Sequence, residues 1–193
     1  MYTQEDISRL VSRQKAYFHT GQTLDVSWRR EQLKKLRKMV ADHERDIEQD
    51  LKTDLGRSET EAYFCDIGTI ILEINEILHG LSRWTKPETH FSGFVCFPSR
   101  ITKVYKMPYG TVLIISPFNF PFLLSLGVLA AAISAGNTAV IKASSKSSAS
   151  TAVLKKMIAE TFDEEYRILF EKYLFIINFL CTTSTTSKLI IFR

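Results

Sequence analysis

The chain has 193 residues, 45% of them apolar and 24% charged, with a net charge of +4. That balance belongs to an ordinary globular protein of one or two domains and excludes collagen-like, disordered and disulfide-dense classes. Cys65, Cys96 and Cys181 are odd in number and widely spaced, which argues against a disulfide framework and against a zinc site.

The first residues, Met1-Tyr2-Thr3-Gln4-Glu5-Asp6, are polar and acidic rather than basic and then apolar, so no secretory signal is read there and a cytoplasmic location is expected. Residues 3–86 read as helical. Thr3-x-x-Asp6 and Ser58-x-x-Glu61 have the spacing of capping boxes, His19 to Thr23 is a loop, and Leu55-Gly56 is a helix stop. Arg29-Arg30, Lys34-Lys35 and Arg37-Lys38 lie on one helix whose apolar stripe runs Leu33, Leu36, Val40, Ile47 and Leu51, and are read as its solvated face rather than a nucleic-acid footprint. A helix from Glu59 to Arg83 carries Ile67, Ile70, Ile71, Ile74, Ile77, Leu78 and Leu81, a face too broad for the first helices alone to cover. Next comes a hairpin of Phe94 to Phe97, a Pro98-Ser99-Arg100 turn, and Ile101 to Tyr105.

From Met107 through Ile141 there is no formal charge, which raises a membrane span of about 20 apolar residues as a rival. Pro117, Asn119 and Pro121 split the run instead into a β-branched strand (Thr111 to Ile115), a turn, a small-residue helix (Phe122 to Ala135) and a second strand (Thr138 to Ile141), with Gly136 as the helix stop. Strand, turn, helix, strand is a βαβ unit with buried parallel strands. A helix follows from about Ala149 to Phe162, and then the pattern is lost. From Arg167 onward Ile, Phe, Leu, Tyr, Lys and Asn dominate without a period, as in translated noncoding sequence after a missed splice or frameshift. A membrane anchor is the alternative, opposed by Lys172, Asn178 and the polar segment 181–188. If the sheet stops at Lys142 its edge is bare and prone to aggregation, and the uncharged run Tyr173 to Leu180 would add to this.

The run Ile114-Ile115-Ser116-Pro117-Phe118-Asn119-Phe120-Pro121, the helix ending Ala135-Gly136-Asn137-Thr138 and the strand ending at Lys142 together resemble the start of the cofactor-binding domain of the aldehyde dehydrogenase superfamily, most closely its short-chain, fatty-aldehyde type. The likeness covers about residues 3–165 and reaches back through Arg83-Trp84. It implies an α/β fold: N-terminal helices plus a β-hairpin arm, then the first βαβ unit of an incomplete Rossmann-like parallel sheet. The divisions are 1–93 for the helical segment, 94–107 for the hairpin, 108–165 for the start of the NAD(P)-binding domain and 166–193 for the unmatched tail. By the same resemblance the hairpin joins subunits, giving a homodimer, and the complete form oxidises an aldehyde substrate to the acid with NAD or NADP.

Aldehyde oxidation through a thiohemiacetal builds an oxyanion, which needs preorganised donors in a water-poor pocket. Asn119, just past the carboxyl end of a buried strand, is by resemblance the side-chain half of that oxyanion hole; read alone, it would be a helix cap ahead of Pro121. Ile115, Ser116, Pro117, Phe118, Lys142 and Ser145 are the expected cofactor contacts, with Lys142 on the adenosine ribose. Where the family has Pro, Ser and Glu after this Lys, the chain has Ala143, Ser144 and Ser145. Without that carboxylate a 2′-phosphate is not repelled, so the choice of NAD or NADP stays open. No Gly-x-Gly-x-x-Gly fingerprint is present. None of the three cysteines has the glycine-rich context of the family's nucleophile, and the general-base Glu is also missing, so the 193 residues alone are expected to be inactive. Cys65 and Cys96 are read as small buried hydrophobes. A non-catalytic isoform that pairs with intact subunits is the alternative function. No metal site and no nucleic-acid partner are expected.

Overall fold

The computed structural model describes residues 4–162, 167–170 and 188–191. Helix α1 (Gln4–His19) ends in a loop where Gly21 takes φ 79°, a left-handed turn that costs glycine little. Helix α2 (Val26–Asp42) starts on Asp25, whose carboxylate accepts from the amides of Ser27 (3.1 Å) and Trp28 (3.3 Å). Helix α3 (Glu44–Leu55) stops at Gly56, also left-handed, with φ 69°. The Ser58 capping box is present and opens α4 (Glu59–Ala62), which runs through a π-helical turn (Tyr63–Ile67) into α5 (Gly68–Trp84). Thr3, the start of the other expected box, lies outside the described residues.

The apolar stripe is the core. Leu33, Leu36, Val40, Ile47 and Leu51 are fully buried, on two helices rather than one, since the chain breaks at His43 between α2 and α3. Ile67, Ile70, Ile74 and Leu81 join them, so the broad face of α5 finds its cover in α2 and α6 (Val128–Ser134). Arg29 departs from the solvated-face reading. It is buried, and its guanidinium donates to the carbonyls of Thr23 (2.6 Å), Leu24 (3.1 Å) and Ser134 (3.1 Å). Three carbonyl acceptors make up for the water that the cation gives up.

The hairpin lies earlier than the sequence suggests. Its strands are β1 (Glu88–Phe91) and β2 (Ile101–Val104), paired antiparallel with Glu88 opposite Val104, and residues 94–97 belong to the connecting turn. Ser92 closes the ladder by donating to the Arg100 carbonyl (2.9 Å), and Gly93, at φ 58°, turns the chain away. Cys96 is therefore exposed in a turn rather than buried in a strand, and Cys65 is half-buried in the π-turn.

Strands β3 (Thr111–Ile115) and β4 (Thr138–Lys142) pair in parallel, with Ile115 opposite Lys142, and are buried along their length except at that last pair. Between them a π-helix (Leu123–Gly127) leads into α6, which ends at Gly136, φ 84°. Asn137 locks the return: its Oδ1 accepts from the Gly110 amide at 3.0 Å. Helix α7 (Ser148–Thr161) follows β4. The sheet does not stop there. Residues β5 (Arg167–Phe170) pair in parallel with β4, and β6 (Lys188–Ile191) in parallel with β3, giving the order β5-β4-β3-β6. The expected bare edges are thus taken up by backbone from the tail, because the polar groups along a strand edge bind any chain able to extend beside them. The segment 171–187, with the run expected to aggregate, lies outside the described residues. Among the described residues no helix is long and apolar enough to cross a membrane.

Candidate active site

Open parallel sheets bind ligands beyond the carboxyl ends of their strands. Here that edge is built from two loops, one after β3 and one after β4. They are tied together at their base by the Ser116 amide, which donates to the Lys142 carbonyl at 3.0 Å. Across the opening, the Lys146 ammonium sits over the Phe118 ring, 5.2 Å from its centre. The structure therefore brings Ile115, Ser116, Pro117, Phe118, Lys142 and Ser145 to one rim. Ser116 is buried, Ile115, Pro117 and Lys142 are half-buried, and Phe118 and Ser145 are exposed. The Lys142 ammonium rests 3.4 Å from the Ala143 carbonyl, a weak hold on a side chain that faces an open rim. The loop after β4 is lined with hydroxyls: Thr151 donates to the Ser144 carbonyl (3.0 Å), and the Ser144 hydroxyl accepts from the Lys146 amide (3.2 Å).

Asn119 is exposed at the tip of the turn after β3. A helix cap at this position would accept the amide of residue 122 or its neighbour. The neighbouring Leu123 amide is committed, donating to Asp66 at 2.8 Å, and the Phe122 amide helps to stabilise the same carboxylate. Asp66 is completely buried and paired with Arg57. Burial pushes its carboxyl above the ordinary range, and the two amides and the guanidinium oppose that push. The second guanidinium nitrogen of Arg57 donates to the Asn119 carbonyl at 2.6 Å, and the guanidinium lies over the Phe120 ring at 4.5 Å.

Two consequences follow. The helix start after β3, which in glycine-rich dinucleotide folds takes a phosphate, is occupied by a protein carboxylate. The start of α7 is closed in the same way by Asp54, which accepts from the Ala149 amide (3.3 Å) and from the Ser150 amide and hydroxyl (both 2.7 Å). A missing glycine fingerprint and two carboxylate-capped helices agree: a ligand's phosphates are not cradled at either start. Arg57 and Asp66 were not singled out from sequence. The available signal was a carboxylate, Asp66, set among Ala62, Ile67 and Ile70 on the buried side of a helix, where a charge requires a partner.

A helical N-terminal layer, a two-stranded arm and an open parallel sheet with its polar rim at the carboxyl edge define an α/β protein. The chain belongs to the aldehyde dehydrogenase family, which matches over residues 1–166. It is 46% identical over 152 residues to 4,4'-diaponeurosporen-aldehyde dehydrogenase of Staphylococcus aureus, covering 79% of this chain and 33% of that protein. It is 36% identical over 158 residues to aldehyde dehydrogenase family 3 member H1 of Arabidopsis thaliana, covering 82% of this chain and 32% of that one. Among solved structures, the substrate-bound state of Staphylococcus aureus AldH superposes with a TM-score of 0.86 at 41% identity, over 93% of this chain and 38% of that one. The NADP complex of a glyceraldehyde-3-phosphate dehydrogenase from Bacillus halodurans shares the fold at a TM-score of 0.78 and 20% identity, over 91% of this chain and 37% of that one. The chain spans about a third of the length of these curated relatives.

Proposed function

We propose that this segment supplies the oxyanion side and part of the cofactor rim of an NAD(P)-dependent aldehyde dehydrogenase that turns aldehydes into carboxylic acids in a full-length form. The observation that carries the reading is the turn after β3. Its helix-capping work is done by Asp66, which leaves the Asn119 amide exposed on the ligand-binding edge of the sheet. An amide donor aimed at a developing oxyanion stabilises it without needing its own charge neutralised.

The rim suits a nicotinamide cofactor of either kind. Lys142 and the Ser144-Ser145 hydroxyls would meet the ribose, and Ile115 to Phe118 would line its approach. No carboxylate stands at 143–145 to repel a 2′-phosphate. When bound, the cofactor accepts the hydride that leaves the aldehyde carbon. The residues of this chain bind, orient and donate hydrogen bonds, while nucleophile and general base come from the remainder of the longer form. The 193 residues alone are inactive in this reading, located in the cytoplasm, and paired with a second copy through the arm.

The test is direct: a full-length form, given an aliphatic aldehyde with NAD⁺ or NADP⁺, yields reduced cofactor and the acid, and no reduction with either cofactor would overturn the reading. A second reading, a non-catalytic partner of intact subunits, is favoured by the arm, where Phe91, Phe94, Val95 and Phe97 are all more than two-thirds exposed. The native mass separates the two, since a chain of about family length supports the enzyme and one of 22.1 kDa supports the partner.

A further inference from the structure

The turn that carries Asn119 is held by one cation from a distant part of the chain. Arg57 lies between the left-handed Gly56 that ends α3 and the Ser58 that opens α4, so its backbone is fixed on both sides. Its side chain is 15% exposed, and its partner Asp66 is 0% exposed. From this anchored position its two terminal nitrogens divide: one pairs with Asp66, the other donates to the Asn119 carbonyl at 2.6 Å. Asp66 in turn accepts from the Leu123 amide at 2.8 Å, and Leu124 closes the turn by donating to the Phe120 carbonyl at 3.1 Å. Both elements in contact here are π-helical, Tyr63–Ile67 around Asp66 and Leu123–Gly127 after the turn. A π-turn widens the helix by one residue and re-aims the side chains around it.

An ion pair serving only global stability needs no bond to a turn carbonyl. We propose that Arg57 and Asp66 are positioning residues that hold the Asn119 turn in one geometry, Arg57 by clamping the Asn119 carbonyl and Asp66 by clamping the Leu123 amide. The purpose assigned to the clamp rests on the oxyanion reading of Asn119; its existence does not.

The experiment has two arms. In the 193-residue chain, amide exchange is followed at Leu123 and Leu124 against the β3 amides Val112 to Ile114. Arg57→Lys keeps a charge for Asp66 but replaces the planar fork, whose two nitrogens reach Asp66 and the Asn119 carbonyl separately, with a single ammonium centre that holds the carbonyl less firmly. It is expected to speed exchange at Leu124 by about tenfold while Leu123 and β3 stay within twofold. Arg57→Ala loosens both turn amides. If Arg57→Ala fails to fold, the neutral pair Arg57→Gln with Asp66→Asn decides, with Leu124 again the faster amide. Unchanged exchange at Leu124 in the folded variants, or an equal rise at Leu124 and in β3, would overturn the clamp.

In a full-length form, Arg57→Lys should lower kcat about tenfold with KM and cofactor Kd within twofold, because only the donor's placement has changed. Equal losses in all three constants would mean a structural ion pair and nothing more. Asn119→Ala with normal turnover would sink the oxyanion reading by itself, whatever the exchange arm shows.

Discussion

The turn after β3 and the β1–β2 arm stand at opposite extremes of the same chain. The turn, residues 116–123, is short and irregular, yet it is fastened from outside by a buried carboxylate, a guanidinium and the β4 carbonyl at its base. The arm is regular, but its eight strand residues are all exposed. It is held by its own ladder, by Ser92 to Thr102 (2.9 Å) and by a surface ion pair of Lys106 with Glu88 (2.8 Å). An isolated two-stranded hairpin is marginal, and exposed pairs of this kind add at most about 1 kcal/mol. Order in this protein therefore follows anchoring rather than regularity: the irregular element is fastened from outside, and the regular one is exposed along its whole length.

The largest effect that would break this comparison is at Asp66. Asp66→Ala leaves the Arg57 cation half of a buried pair and frees the Leu123 amide, so it should cost about 3–5 kcal/mol in a denaturant titration. A loss below about 1 kcal/mol would mean that water, not the carboxylate, holds the turn. Next comes the arm. Replacing Phe94 and Phe97 together with Ser should leave the melting temperature nearly unchanged and weaken self-association by about 10²-fold in sedimentation, as expected of aromatic anchors at an interface. A large drop in melting temperature would instead place those rings in the fold's own core.

The smallest effect concerns Asp50 on α3. Its Oδ2 is buried without a hydrogen-bond partner among the described residues. Burial first, then the neighbouring Asp54 and Asp46 charges, raises its carboxyl above the ordinary value. A raised native value means that the folded chain holds this proton more tightly than the unfolded chain. The contribution to stability is then greatest below the ordinary carboxylate range and is lost as pH rises through the native value. Asp50→Asn should accordingly gain stability relative to wild type as pH increases through that window, with a constant difference above it. A difference that does not vary with pH would show that Asp50 is not shifted.

Much of the architecture was legible because it follows from local pattern. The apolar stripes, Gly56 and Gly136 as stops, the Ser58 box and the parallel β3–β4 pair all follow from period and turn chemistry within a few residues. What failed to show has one physical cause: it depends on contacts distant in sequence. Arg29 looked like one more surface cation until carbonyls from a loop and from α6 converged on it. The arm was shifted because Phe94 to Phe97 has strand composition, while Glu88 to Phe91, with a more polar sequence, has the cross-strand partners. The tail lost its match after about residue 165, yet its backbone still supplies β5 and β6, since ladder pairing asks little of side-chain identity. At the candidate site, Asn119 and Lys142 could be proposed from a distinctive local signature, while Arg57 and Asp66, whose contacts span 62 and 57 positions, carry no such signature.

The claim that the anchored turn exists to present Asn119 is tested most directly by the kinetics of Asn119→Ala in a full-length form. The Asn119 carbonyl and the Asp66 contacts belong to backbone that this substitution leaves in place. Turnover should therefore fall about 10²-fold, the usual loss for one oxyanion donor, while cofactor affinity and thermal stability stay close to wild type. A collapse of cofactor binding or of stability with turnover per bound cofactor preserved would contradict the account, and would make Asn119 a part of the scaffold rather than of the chemistry.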